Sequence, residues 1–176
     1  MKYSSLITLL SLSAATVMAL PSPVRPVAPR AESDSCAPKS ITNSNTCVAA
    51  QKLADGIDEN IAVQKQEQSD VAAIKKIVGT SNIDQAKFQS VKEKLLRTVN
   101  KGISVRESNQ KMAPPGNNAI TGLRTVANAQ KKELSQAESL EGTASDLDII
   151  SNLQTEFSGG IEQNKKNKEA ALDCCT

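Results

Sequence analysis

The stretch TASDLDIISNLQTEFSGGIEQNKKNKEAAL, residues 143–172, decides the fold class of this chain. Thr143 and Asp146 open it at the spacing of a helix capping box. Its large apolar residues then recur at intervals of three and four, which is the period of one face of an α-helix. These residues are Leu147, Ile150, Leu153, Phe157 and Ile161, with Leu172 close to the end. The pattern predicts one long amphipathic helix, which needs partners to bury its apolar face.

The same spacing recurs in three further stretches upstream, and no run of residues alternates with the period of a strand. The first stretch begins beyond Thr46 and ends at Gly79, the second ends at Met112, and the third stops near Gly142. Long amphipathic helices with short connections pack as an up-and-down bundle. The predicted fold is therefore all-α, an up-and-down bundle of four long helices with the chain ends tied together by disulfides.

The four cysteines lie at the two ends of this helical region, as Cys36 and Cys47 and as the adjacent pair Cys174 and Cys175. A bridge between adjacent cysteines strains the peptide, so we favour the two pairings that join the chain ends, without a choice between them. An odd number of long helices would leave the cysteines about 40 Å apart. We therefore predict four helices, with a split of the first near Ser69-Asp70 as the alternative. Adjacent cysteines with no histidine nearby give poor geometry for a tetrahedral metal site. We therefore predict neither a metal nor a cofactor.

The N-terminal residues predict export from the cell. Lys2, a short apolar stretch over residues 6–12 and the small residue Ala19 form the pattern of a signal peptide. We predict a signal peptide at 1–19, a Pro-rich tether at 20–45 and a helical bundle domain at 46–176. No later stretch has the roughly 20 apolar residues that span a bilayer. The expected product is a secreted, extracellular monomer without a membrane span.

Composition excludes several classes of function. The chain has no histidine, a net charge of +2, and only two Phe and one Tyr. Nucleophiles activated by histidine are therefore excluded, and the charge is too small for a typical nucleic-acid binder. Paired carboxylates remain for acid–base chemistry, but the pattern places them on solvated helix faces: Asp55, Asp58, Glu59, Glu133 and Glu138. We predict no catalytic residue and no enzyme activity.

Three glycines inside the predicted helices form a candidate binding site. Gly56, Gly102 and Gly160 each precede an isoleucine and follow an apolar residue three positions earlier. A glycine in a helix interior costs about 1 kcal/mol relative to alanine. Close helix contact, local bending or room for a ligand would explain why glycine is present at that cost. Alternatively, the three Gly-Ile pairs arose by chance or are relics of a duplication. The candidate residues for an apolar ligand are Leu53, Gly56, Ile57, Val99, Gly102, Ile103, Phe157, Gly160 and Ile161.

Polar residues also fall on the predicted inward seam near the middle of each helix. They are Gln64, Thr98, Gln130 and Gln154. Buried, they would form a hydrogen-bonded layer or line a wet cavity. Alternatively, the slip of about 20° per heptad in a straight helix carries them to the rim of the bundle.

The whole layout resembles a group of small secreted fungal proteins, the hydrophobic-surface-binding protein A and cell-wall galactomannoprotein group. The resemblance rests on the signal, the Pro-rich tether and long Ala/Ser/Gln/Asn-rich helices with Gly-Ile-x-x-x-Asn-like repeats. It implies an all-helical protein, exported or wall-associated, that binds an apolar molecule or hydrophobic surface. The alternative prediction is a secreted effector or inhibitor that acts on a host or wall protein.

Overall fold

The structure is a computed structural model that describes residues 44–175, apart from the side chains of Ser44, Thr46 and Cys174. It contains four long helices, α1 (Ser44–Val78), α2 (Gln85–Met112), α3 (Ala119–Ser139) and α4 (Leu147–Leu172). Short 3₁₀ turns follow at Ala144–Asp146 and Asp173–Cys175. Over these residues the chain is 88% helical and has no strand, which confirms the predicted all-α class. The predicted signal peptide at 1–19, Cys36 and the tether up to residue 43 lie outside the described residues.

The helices form an up-and-down bundle. Each helix packs against the next along the chain, and α4 packs back against α1. Helix α1 is therefore diagonal to α3, and α2 is diagonal to α4. We call α1 with α2 the first hairpin and α3 with α4 the second hairpin.

Helix α1 runs unbroken through Ser69-Asp70, so the predicted alternative of a split first helix is wrong. Asp70 is buried, and its carboxylate binds two side chains of α2. One oxygen lies 2.9 Å from Lys94 Nζ, and the other accepts a hydrogen bond of 2.8 Å from the Thr98 hydroxyl. The polar interruption in the first stretch is thus a contact between α1 and α2.

The helix boundaries follow local capping. The Asp84 side chain accepts a 2.9 Å hydrogen bond from the backbone N–H of Lys87 and starts α2. The predicted capping box of Thr143 and Asp146 is confirmed, although it opens the 3₁₀ turn that precedes α4. Both connections, 79–84 and 140–146, lie within a hairpin at the same end of the bundle, which we call the far end.

A disulfide between Cys47 and Cys175 closes the opposite end, which we call the disulfide end. It joins the start of α1 to the end of α4, with the Cα atoms 5.4 Å apart. This is one of the predicted end-joining bridges, and it confirms that four helices return the chain to its starting end. Pairing of Cys36 with Cys174, the arrangement that this bridge leaves for the other two cysteines, stays a prediction.

The second hairpin repeats contacts of the first. Gly56 on α1 lies against the Asn109 side chain on α2, and Gly122 on α3 lies in the same way against Asn167 on α4. Further along, Asp70 bonds to Thr98 in the first hairpin, while the Gln136 amide donates to Glu156 in the second. Equivalent positions therefore meet across each hairpin, as an internal duplication would produce.

Candidate functional site

The apolar residues of the predicted site divide between two buried clusters. Leu53, Ile57 and Ile161 belong to a buried apolar cluster at the disulfide end. Val99 and Phe157 belong to a larger cluster at the far end, and Ile103 packs against that cluster. The apolar side chains of the predicted site therefore fill two separate clusters.

The three predicted glycines lie against polar side chains of neighbouring helices. A Cβ atom on Gly56 would overlap the Asn109 amide, and one on Gly160 would overlap the Gln64 amide. A Cβ atom on Gly102 would lie 2.8 Å from a carboxyl oxygen of Glu67. Of the explanations considered for these glycines, the structure therefore favours close contact, here with buried polar groups.

A layer of buried polar side chains separates the two apolar clusters. We call it the central layer, and each member is less than one-tenth exposed: Asn60, Gln64, Glu67, Arg106, Gln130, Glu133 and Asn164. The Asn164 amide donates to Asn60 Oδ1 at 2.8 Å and to Gln64 Oε1 at 2.9 Å, which links α4 to α1. Arg106 Nε donates to Gln130 Oε1 at 2.9 Å, which links α2 to α3. All four helices therefore meet through polar groups at mid-height.

Two carboxyl groups occupy this layer without partners. Glu67 on α1 and Glu133 on α3 are both 0% exposed, and neither oxygen of either carboxyl has a hydrogen-bond partner. The amide nitrogens of Gln64 and Gln130 are also unpartnered. Each buried polar group without a partner costs about 1–3 kcal/mol. The central layer is thus the least favourable part of the core.

The placement of Glu133 corrects a prediction. The sequence pattern assigned both Glu133 and Glu138 to a solvated face. In the structure Glu138 is exposed, but Glu133 is buried. The four residues QKKE at 130–133 match QKQE at 64–67, and in both the Gln and the Glu turn inward. Sequence reasoning missed Glu67 and Glu133, although this repeated Gln-x-x-Glu spacing on two helices would have found the pair.

Burial shifts both carboxyls toward their neutral form. Desolvation, together with the nearby charges of Glu133 and Asp70, raises the pKa of Glu67 from 4.5 to about 8. Desolvation and the charge of Glu156 raise the pKa of Glu133 from 4.5 to about 7. A buried carboxyl without a cationic partner is more stable when it holds its proton. At mildly acidic pH the layer is therefore uncharged at these two positions.

The four polar residues of the predicted seam divide between layer and rim. Gln64 and Gln130 are buried in the central layer, as the hydrogen-bonded alternative required. Thr98 and Gln154 are half-buried at the rim, where Thr98 binds Asp70 and Gln154 accepts a 3.0 Å hydrogen bond from Lys75. Both predicted alternatives therefore hold, each for one pair of residues.

A surface groove of about 430 Å³ runs between α1 and α2, outside the predicted site. Its floor includes Ala62 and Val63, and Lys94, Arg97 and Lys101 lie along one side. Each of these cations already has an anionic partner in the chain: Asp70, Glu93 and Glu59, respectively. The groove therefore presents little unpaired positive charge to a ligand.

The described surface offers few large apolar side chains. Those that are exposed are Val48, Met112 and Leu147, at 52%, 39% and 37%. Val48 and Met112 lie near the disulfide end, while Leu147 starts α4 at the far end. Within residues 44–175, no helix has the length and hydropathy to cross a membrane. The large apolar side chains of the described residues are therefore mostly buried.

Within residues 44–175, the acidic and cysteine side chains form no candidate metal centre. Among the residues that the structure describes, no three or more Asp, Glu, Cys or His side chains are grouped to hold an ion. Comparisons of the chain with protein-family models, curated proteins and solved structures found no match.

Proposed function

We propose that this protein is a secreted, non-enzymatic binding protein for an apolar ligand or a hydrophobic surface, and that it binds by parting its two hairpins. The observation that carries the proposal is the central layer, whose unpartnered carboxyls divide the core into two apolar clusters. The resemblance to hydrophobic-surface-binding proteins supports the same function and a location at the cell wall. A closed bundle exposes little apolar surface, so binding requires the interior to open.

The connections between the hairpins favour one direction of opening. At the disulfide end, the hairpins are joined by the loop at residues 113–118 and by the Cys47–Cys175 bridge. At the far end, both connections lie within a hairpin, so among residues 44–175 the hairpins meet there through noncovalent contacts. One of these is the 2.7 Å hydrogen bond from the Gln85 amide to the Gly142 carbonyl. The bundle therefore opens as a clamp with its hinge at the disulfide end.

Opening at the far end exposes the larger apolar cluster, including Phe88, Leu95 and Phe157. The main opposing cost is the apolar surface that leaves its partners, at about 25 cal/mol per Å². The central layer lowers this cost because water then reaches four carboxyl oxygens that lack partners in the closed form. Contacts with an apolar ligand or surface then replace those lost between the hairpins and offset the remaining cost of opening.

Binding of a fatty acid and of oil droplets by the purified protein tests the proposal. The decisive variant is Glu67→Met with Glu133→Met, because it removes buried polar groups without partners, each of which costs about 1–3 kcal/mol in the closed form. That stabilisation acts on the closed form, so the variant should bind about tenfold or more weakly. Apparent affinity from titration, together with unfolding in urea, measures both effects.

Gly159→Ala is the matched control. It stabilises α4 in the open and closed forms alike, because the position is exposed with open space around it. The control should be more stable than wild type and bind equally well. Equal binding by the double Met variant would contradict opening through the layer. No saturable binding by the wild type would contradict the function itself and favour the alternative, a secreted effector or inhibitor of a partner protein.

A further inference from the structure

We propose that Glu67 and Glu133 form a proton-binding pair that controls this opening, so the hairpins stay closed while the carboxyls are protonated and part when they ionise. The inference rests on the proposed function for its ligand, but the proton linkage is a property of the bundle alone. It assigns a regulatory role to two side chains that otherwise only weaken the core.

The first argument is the position of the pair. The two glutamates come from the diagonal helices α1 and α3, one in each hairpin; both side chains are buried, and the charge of Glu133 acts on Glu67. They occupy equivalent places in the repeated Gln-x-x-Glu segments. Gly102 on α2 leaves the space that the Glu67 carboxyl occupies, since a Cβ there would lie 2.8 Å from its oxygen. Ionisation of either carboxyl therefore places charge at the boundary between the hairpins.

The second argument is the lack of a compensating cation. Arg106 is the buried cation of the central layer, and its nitrogens bind Gln130, Gln110 and Glu107. From α1, Asp70 faces Glu67 as a second acid rather than as a partner. The described residues thus offer neither carboxylate an ion pair.

The other acids that face the pair have ion-pair partners of their own. On α4, Glu156 faces Glu133, and its own partner is Lys132 Nζ at 2.6 Å. On α2, Lys94 binds Asp70 at 2.9 Å. These neighbours therefore leave the two central carboxyls as the uncompensated acids of the layer, which is consistent with their raised pKa values of about 8 and 7.

The direction of the pH dependence follows from the raised pKa values. In the unfolded chain both groups ionise near pH 4.5, whereas in the closed bundle they keep their protons to about pH 7 and 8. The closed form therefore binds more protons, and the stability that it gains from protonation of these two groups is complete below about pH 4.5. It is lost as the pH rises through the folded pKa values. We expect the bundle to be tightest in acid and to bind apolar ligands best above about pH 8.

The test compares the wild type with Glu67→Gln plus Glu133→Gln, which mimics two protonated carboxyls at every pH. Urea unfolding between about pH 5 and pH 9 gives the unfolding constant of each protein. As the pH rises, the ratio of the wild-type unfolding constant to that of the variant should increase by up to about tenfold per pH unit for each carboxyl. The ratio should level off near pH 8. Glu138→Gln with Glu169→Gln changes the same charge at exposed positions and should leave the pH profile of the wild type intact.

A constant ratio across this pH range would overturn the proton-binding pair. Titration of oil droplets or a fatty acid over the same range then tests its link to binding. Wild-type affinity should rise with pH, while the Gln variant should show a flat profile. If the ratio rises with pH but no binding appears at any pH, the proton pair stands and the proposed function fails. Binding with the same pH profile in both proteins would show that the pair does not control opening.

Discussion

At the scale of single residues, glycine decides how closely the two helices of a hairpin approach. A Cβ atom on Gly122 would overlap Asn167 Oδ1 and lie 2.8 Å from its Cγ. The Asn167 amide is held in place, since its oxygen accepts from Gln163 at 2.8 Å and its nitrogen donates to Asn164 at 3.2 Å. Gly159, by contrast, has no atom within 4 Å of a built Cβ.

We therefore predict opposite effects for the same substitution at these two glycines. Gly122→Ala should lose about 1–3 kcal/mol of unfolding free energy, because Asn167 must leave its hydrogen bonds to avoid the new methyl group. Gly159→Ala should gain up to about 1 kcal/mol from the higher helix propensity of alanine. Urea unfolding of both variants measures the difference. A stabilised Gly122→Ala variant would show that Asn167 turns aside freely and that the glycine has no packing role.

At the scale of helices, two aspartates near helix starts bind backbone N–H groups in different surroundings. Asp84 is exposed and accepts one backbone hydrogen bond, from Lys87 N–H. Asp146 is 2% exposed, and its carboxylate accepts from the backbone N–H groups of Glu141, Gly142 and Thr143. It thereby holds the far-end connection between α3 and α4 as well as the first turn before α4.

Loss of the two carboxylates should consequently differ in cost. Asp84→Ala should destabilise by about 1 kcal/mol, as is usual for an exposed N-cap. Asp146→Ala should cost about 2–4 kcal/mol, because each buried N–H without a partner adds about 1–3 kcal/mol. Thermal and urea unfolding give both values. Equal losses would indicate that, in the Asp146 variant, water binds the backbone N–H groups of residues 141–143 in place of the carboxylate.

At the scale of the whole molecule, the bridge between Cys47 and Cys175 spans a sequence separation of 128 residues. In the chain-entropy model a loop of this size confers about 4–5 kcal/mol. The same bridge supplies one of the two connections at the proposed hinge. Reduction should therefore lower stability and also loosen the end at which the hairpins are held together.

Peptide mapping without reduction provides the corresponding prediction. We expect the Cys47 peptide to be linked to the peptide that holds Cys174 and Cys175, and the Cys36 peptide to join the same linked species. The described geometry supports the link of Cys47, because the start of α1 and the end of α4 meet at the disulfide end. A Cys36–Cys47 bridge in the native protein would contradict the arrangement of the chain ends.

The sequence by itself determined the class of fold, the number of helices and the meeting of the chain ends. These features depend on information carried by neighbouring residues, such as the three–four spacing of Leu153 and Phe157 and the capping box at Thr143. The cysteine positions then required an even number of helices. Local physics and chain connectivity therefore sufficed for the architecture.

The tertiary structure alone decided which polar residues became the candidate site. Glu133 and Glu138 both lie in α3, yet one is buried and the other exposed, because burial depends on which helices surround each face. Likewise, Gly160 has a role only because Gln64 of α1 lies against it. The missing partners of Glu67 and Glu133 and their raised pKa values arise from the same source: groups distant in sequence exclude water and supply no cation.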